Sequence, residues 1–175
     1  MSMHKSLLLF VVLPFIKLSA NDFDNWYFDF MTEGYISINL MYPPDSDQHR
    51  WVIFADTTGK ITKEGDKCVV TGEYYYQHYG RNGSYTAVWS KVKDSEYKGT
   101  YTSHLGVSGE LRLVLKEDDK YELTGKYSNG TSQLDTGKLE SDGRIYSIGK
   151  TFKNGVATGF TSKKAYEKKL KKKEP

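Results

Sequence analysis

Apolar and polar residues alternate with a period of two along most of the chain, and short turn sequences interrupt the alternation. The even positions from Trp26 to Phe30 and from Ile36 to Leu40 are apolar, and Glu33-Gly34 lies between the two runs. Because successive side chains of a strand point to opposite faces, this pattern predicts a hairpin of two half-buried strands. The run from Trp51 to Ala55 predicts another short strand after a polar loop.

The second half of the chain repeats a short glycine motif. Gly72, Gly99 and Gly125 are each followed two residues later by Tyr, and Gly149 begins a looser copy. The copies are 27, 26 and 24 residues apart, which suits one hairpin and its connections. Each glycine shares its parity with nearby apolar residues, so we expect it to face inward, where a missing side chain lets a sheet bend.

Turn sequences between the copies complete the fold prediction. Asn82-Gly83, Asn129-Gly130 and Asp142-Gly143 are typical of tight hairpin turns, because their residues tolerate positive φ angles. Short strands at such spacing predict a sandwich or an up-and-down barrel, and the inward glycines favour the barrel. We therefore predict an all-β fold, in which an antiparallel up-and-down meander closes into a barrel of eight to ten strands.

The first residues of the chain are typical of a cleavable signal peptide. A short basic stretch precedes ten apolar residues from Leu7 to Ile16, and the segment ends at the small residue Ala20. An apolar run of this length is too short to cross a bilayer, so we predict no transmembrane anchor. Residues 1–20 are thus expected to be removed from a secreted, extracellular protein, which would be periplasmic in a Gram-negative bacterium.

The last residues also depart from the alternation. Residues 163–175 contain seven Lys and two Glu, and they are expected to form a short basic helix or tail after a barrel domain of residues 21–162. Such a segment could contact acidic lipids or polysaccharide, but it contains no motif for specific nucleic-acid binding.

Two short segments resemble strands of a known barrel family. Leu123-Thr124-Gly125-Lys126-Tyr127 resembles the first hairpins of avidin-type barrels, and Tyr97 to Thr102 is similar to the Gly-Thr-Tyr strand of the same family. The segments are similar more broadly to calycin barrels, which include the lipocalins, so the resemblance implies the barrel architecture alone. Avidins have Trp where Tyr127 stands, so no biotin site is implied. Gly125 to Gly130 is also similar to a MORN repeat.

Aromatic side chains are the candidate ligand-binding residues, because large rigid rings bind apolar and aromatic molecules well. On one strand Tyr85, Ala87 and Trp89 share a face, and with Tyr74 and Tyr76 they predict a ligand-sized cavity near one end of the barrel. The full set of predicted lining residues is Trp26, Trp51, Tyr74, Tyr76, Trp89, Tyr97 and Tyr101.

These features lead to two hypotheses about function. The first is a secreted, non-enzymatic barrel that binds a small apolar or aromatic ligand. The alternative is a structural or interaction protein with a filled core, whose Tyr and Lys surface binds a partner or extracellular matrix. A cofactor-free isomerase or cyclase stays open by analogy with other barrels, and it would need a carboxylate or histidine inside the pocket.

Other chemistry has little support in the sequence. Cys68 is the only cysteine, so no internal disulfide forms, and its apolar strand predicts a buried, unreactive thiol. The histidines are too far apart for a paired metal site, and no catalytic or phosphate-binding motif is present, so we predict no catalytic residues, metal or cofactor. Asn82 and Asn129 begin glycosylation sequons, which apply in a eukaryotic secretory pathway.

Overall fold

A computed structural model describes residues 22–32, 35–42, 52–76 and 80–168, which form one short helix followed by ten strands. The elements are α1 (Trp26–Thr32), β1 (Tyr35–Tyr42), β2 (Val52–Glu64), β3 (Lys67–Tyr76), β4 (Arg81–Lys93), β5 (Glu96–Ser103), β6 (Ser108–Lys116), β7 (Lys120–Tyr127), β8 (Thr131–Leu139), β9 (Ile145–Lys153) and β10 (Val156–Lys168). The expected signal peptide, residues 1–20, lies outside the described residues. Within the described residues, no helix is long and apolar enough to cross a membrane.

Each strand pairs antiparallel with the next along the chain, and β1 pairs with β10 as well as with β2. The β1–β10 ladder runs from Tyr35 opposite Lys168 to Tyr42 opposite Thr161. The strands therefore form a closed barrel, the arrangement that removes free edges from a sheet. The predicted all-β meander barrel of eight to ten strands is confirmed.

The segment from Trp26 to Phe30 is helical, so the strand predicted there is wrong. Asn25 begins α1 as its N-cap, because its side-chain Oδ1 accepts a hydrogen bond of 3.2 Å from the backbone N–H of Phe28. An alternation of only five residues does not separate a period of two from the helical period of 3.6. The helix brings Phe28 and Phe30 into the core, where both are buried.

Helix α1 fills one end of the barrel, which we call the helix end. Phe28 packs between Phe23, at 5.1 Å between ring centroids, and Tyr97, at 5.0 Å. Lys63 of β2 forms ion pairs with Asp24 and Asp29 at 3.1 and 2.8 Å. The β2–β3 and β4–β5 hairpins turn at this end. The opposite end, where β3–β4 and β7–β8 connect, is called the far end.

Strand β10 continues to Lys168, so the boundary predicted at residue 162 was too early. Residues 163–168 pair with β1 and, through residue 166, with β9, and they form neither a helix nor a tail. Lysines obscured the strand in the sequence, because they alternate irregularly and lower the apparent strand propensity. Residues 169–175 lie outside the described part of the chain.

The motif glycines Gly72, Gly99 and Gly125 are buried and face the interior, as predicted. Their surroundings show why no side chain fits. A Cβ at Gly72 would overlap the ring of Tyr85, one at Gly99 would lie 2.8 Å from the ring of Trp89, and one at Gly125 would lie 2.7 Å from the hydroxyl of Tyr127. The glycines therefore make room for aromatic rings on the inner wall.

Candidate functional site

Two of the predicted ligand-binding residues, Trp89 and Tyr97, close the helix end of the barrel. Both are buried, and their rings pack against Phe28 of α1. The Tyr97 hydroxyl donates to the backbone carbonyl of Asp22 at 3.1 Å and accepts from the side chain of Asn25 at 2.8 Å. These contacts fix the helix on the barrel. Trp26, also on α1, is half-buried beside Tyr27 and Tyr121.

The sequence predicted one cavity behind Tyr74, Tyr76 and Trp89, but the structure keeps the rings of Tyr74 and Trp89 apart. Tyr74 pairs with Gly83, whereas Trp89 pairs with Cys68, six residues away along β3. Six strand residues span about 20 Å, so the two rings lie towards different ends of the barrel. Tyr74 is instead half-buried near His104, with its hydroxyl 3.5 Å from Nδ1. Trp51 lies outside the described residues, and Tyr76 is described for its backbone alone.

A wall of inward-facing tyrosines lies between α1 and the far end, and we call Tyr85, Tyr101 and Tyr127 the tyrosine wall. Tyr85 and Tyr101 stack with centroids 5.7 Å apart and planes 23° apart, and Tyr127 meets Tyr101 edge-on at 5.4 Å. All three share the parity of buried residues on their strands, yet each is only half-buried. These three rings therefore keep accessible surface.

Beside the wall lies a cluster of one amide and two charged side chains, which we call the polar base: Gln133, Asp135 and Lys164. Asp135 is 0% exposed, and its Oδ2 accepts hydrogen bonds from Lys164 Nζ at 2.5 Å and from the amide of Gln133. The hydroxyl of Tyr127 donates to Oε1 of Gln133 at 3.5 Å. The polar base is thus continuous with the tyrosine wall.

Three further phenols surround the polar base. Burial raises the pKa of Tyr27, Tyr121 and Tyr166 well above the usual tyrosine range, and the nearby Asp135 charge acts in the same direction. Tyr27 and Tyr166 are half-buried, and Tyr121 is buried.

Sequence reasoning missed most of this site. It assigned Tyr166 and Lys164 to a short basic helix or tail, and it predicted a strand over the segment that contains Tyr27. A usable pattern existed for Asp135, because it shares its parity with Gly137, which lies in β8 as the motif glycines lie in their strands. Tyr101 is the one predicted ligand-binding residue that belongs to the tyrosine wall.

A second concave surface lies on the outside of β7 to β10, and we call it the outer groove. It measures about 760 Å³ and includes the exposed side chains of Tyr146, at 42%, and Ile148, at 49%. Five lysines line the groove with these two residues: Lys116, Lys120, Lys138, Lys163 and Lys164, the last of which also pairs with Asp135. An apolar surface framed by cations is suited to an acidic partner with apolar groups.

The structure also describes the single cysteine and the two sequon asparagines. Cys68 is buried as predicted, and burial raises the pKa of its thiol to about 12 despite the nearby Lys63. Within the described ranges, no three His, Cys, Asp or Glu side chains come together as a metal site would require. Asn82 and Asn129 are both exposed, and Oδ1 of Asn129 accepts hydrogen bonds from the backbone and hydroxyl of Thr131 at 3.0 and 2.6 Å.

Comparisons with known proteins find similarity in structure but not in sequence. No protein-family model matches the chain, and no curated protein sequence matches it. The S-type phycobiliprotein lyase CPES from Guillardia theta superposes with a TM-score of 0.59 at 11% identity, over 83% of this chain and 92% of the other. Rv2717c from M. tuberculosis superposes with a TM-score of 0.58 at 9% identity, over 78% and 92%.

Both structures are calycin-like barrels. This chain shares their barrel fold. This agrees with the resemblance to calycin barrels in Leu123 to Tyr127, although the low identities establish the fold alone. A calycin-like barrel has an interior that is filled by side chains or holds a ligand, and the lining residues decide between the two.

Proposed function

We propose that this protein is a non-enzymatic binding protein that holds a small, largely aromatic ligand inside its barrel, between α1 and the far end. The tyrosine wall supplies the flat apolar surface, and the polar base supplies a few oriented polar groups. That combination is the usual make-up of a small-molecule site. The likeness to a phycobiliprotein lyase is compatible with this role, but one fold hosts many functions and the neighbour does not identify the ligand.

The observation that carries the proposal is the accessibility of inward-facing rings. Tyr85, Tyr101 and Tyr127 face the interior and remain half-buried, while Ala87, Trp89 and Tyr97 nearer the helix end are buried. A filled barrel would bury both groups alike. The contrast indicates that α1 fills one end of the barrel and leaves accessible aromatic surface beyond it.

Titration with N-phenyl-1-naphthylamine, an uncharged dye whose fluorescence rises in apolar sites, tests the proposal. We expect saturable binding to the purified barrel. Tyr101→Leu keeps an apolar side chain but removes the ring, and it should weaken binding about three- to tenfold, the value of one aromatic contact. Tyr146→Leu makes the same replacement in the outer groove and serves as the matched control, with unchanged affinity.

The same titration addresses the alternative hypothesis of an interaction surface. Absence of dye binding, or loss of binding in Tyr146→Leu but not in Tyr101→Leu, would contradict the interior site. The second outcome would favour the outer groove, where lysines around Tyr146 and Ile148 suit an acidic partner. Circular dichroism of each variant checks that the barrel is folded before affinities are compared.

The proposal includes secretion, which rests on the pattern of residues 1–20. Cleavage after Ala20 would leave a mature chain that begins at Asn21. N-terminal sequencing of the product exported by expressing cells should therefore read Asn21 first. A product that begins at Met1, or that stays in the membrane fraction, would contradict secretion without affecting the barrel site.

A further inference from the structure

The arrangement of Asp135 and Lys164 depends on the glycine between them. Asp135 lies on β8 and Lys164 on β10, so the two side chains meet across the inner face of β9. At the crossing point β9 has Gly149, and a Cβ there would overlap Oδ1 of Asp135 and approach the hydroxyl of Ser162. Without a side chain at position 149, the carboxylate and ammonium approach to 2.5 Å.

The polar base is balanced in charge. Asp135 is fully buried and Lys164 keeps 15% of its side chain exposed, so the carboxylate is enclosed and the lysine reaches accessible space. The inward-facing lysines of β2 and β4, Lys63 and Lys91, are paired with carboxylates of the α1 segment at the helix end. Among the described interior side chains, Asp135 and Lys164 therefore set the charge that a ligand meets at the polar base.

The phenols around the pair add hydrogen bonds but no charge. Burial keeps Tyr27, Tyr121 and Tyr166 protonated far above neutral pH, because their pKa values are raised. Each hydroxyl can donate and accept, and the Lys164 ammonium has three donors, one of which Asp135 receives. Lys164 therefore offers donors to a neutral acceptor, such as a carbonyl or hydroxyl oxygen of a ligand.

An anionic ligand meets a different balance. The positive charge of Lys164 is already offset by Asp135, so a carboxylate or sulfonate would enter a low-dielectric interior as an uncompensated second anion. The free-energy cost of desolvating that anion is not offset by attraction to an unpaired cation. A neutral ligand of the same shape avoids this cost.

We propose, on the basis of the binding function above, that the interior site selects uncharged aromatic ligands over anionic ligands of the same shape, because Asp135 and Lys164 neutralise each other at the polar base. Asp135 is the specificity-determining residue, since its charge cancels that of the lysine a ligand can reach. Its role is to position and neutralise Lys164, and the ligand contacts Lys164.

A pair of matched dyes tests this selectivity. N-phenyl-1-naphthylamine is uncharged, and 8-anilinonaphthalene-1-sulfonate has the same ring system with one sulfonate. Only binding that Tyr101→Leu weakens is assigned to the interior. In the wild-type protein we expect the uncharged dye to bind at least about tenfold more tightly than the sulfonate.

Asp135→Asn removes the negative charge, keeps the shape and leaves Lys164 unbalanced. This variant should move the affinity ratio about tenfold or more towards the sulfonate. Asp118→Asn makes the same replacement and the same change in net charge at an exposed turn, where a φ of 56° suits Asn, and it should leave the ratio unchanged. If Asp135→Asn does not fold, Lys164→Gln supplies the opposite test, because a net negative base should disfavour the sulfonate further.

The outcomes separate the two proposals. If neither dye depends on Tyr101, the interior binding function fails. If both depend on Tyr101 but bind equally in the wild-type protein, the binding function holds and the charge selectivity is overturned. The preference for the uncharged dye is its affinity divided by that of the sulfonate. The role given to the ion pair is also overturned if this preference is the same in Asp135→Asn and Asp118→Asn, or if it does not rise in Lys164→Gln.

Discussion

At the scale of single residues, the phenols around the polar base have properties that a sequence cannot show. Tyr27, Tyr121 and Tyr166 differ from the exposed Tyr75 and Tyr146 in their surroundings, since the side chains are identical. Burial disfavours the charged phenolate, which raises the pKa of the three interior tyrosines. The interior is therefore a place where tyrosines act as neutral donors over a wide pH range.

These pKa shifts predict a loss of stability in alkaline solution. A phenol whose folded-state pKa lies above its unfolded value of about 10 ionises first in the unfolded chain, so its contribution is complete below pH 10 and is lost as the pH rises. Cys68, with a pKa of about 12, begins to contribute to the loss near pH 8.5. Urea unfolding between pH 8 and 11.5 should show a fall that steepens above pH 10.

A variant identifies the source of that fall. Tyr166→Phe removes one interior phenol and should lower the slope of unfolding free energy against pH by up to about 1.4 kcal/mol per pH unit above pH 10. Tyr75→Phe removes an exposed phenol on the outer face and is the matched control. Equal slopes in wild type and Tyr166→Phe would show that the buried phenol does not govern alkaline stability.

At the scale of the strands, inward glycines and inward aromatics occupy directly opposed positions. Gly72 stands opposite Tyr85, Gly99 opposite Trp89, and Gly137 opposite Tyr121. In each pair, a Cβ on the glycine would meet the aromatic ring. The ring thus covers the bare backbone of the neighbouring strand, and the pairing specifies the register of both strands.

Substitution of one glycine tests this packing. Gly72→Val should destabilise the barrel by more than about 1 kcal/mol, because the new side chain overlaps the Tyr85 ring in a packed wall. Thr71→Val places a valine on the exposed face of the same strand and should change stability by less than about 0.5 kcal/mol. Equal denaturant midpoints for the two variants would refute the glycine–ring packing.

Strand patterning explains what the sequence could predict at this scale. Period-two alternation indicates β3 to β9 well, and Asn129-Gly130 connects β7 to β8 as predicted. The turn predicted at Asn82-Gly83 is wrong, because both residues lie inside β4, where they pair with Tyr75 and Tyr74 of β3. The same rule failed over Trp26 to Phe30, where the Asn25 cap and packing on the barrel end decide the structure. It also failed over residues 163–168, because pairing of β10 with β1 is a long-range contact with no local pattern.

At the scale of the whole molecule, the site arises from barrel closure. Lys164 and Tyr166 reach the polar base only because β10 joins β9 to β1. The position of Asp135 could be derived from the parity of Gly137, but its counterion could not, since nothing near residue 135 specifies a partner 29 residues away. The composition could predict that the interior is rich in aromatic rings. It could not predict which rings meet, because strand register decides which residues lie opposite each other.

Closure of the barrel by its first and last strands also has a consequence for biosynthesis. Tyr35 pairs with Lys168, so β1 leaves the ribosome long before its partner exists. At translation rates of about 5–20 residues per second, the interval is on the order of ten seconds. Throughout it, β1 and then β9 have one unpaired edge, a template for wrong association between nascent chains. Protection of that edge during this interval is a task for chaperones.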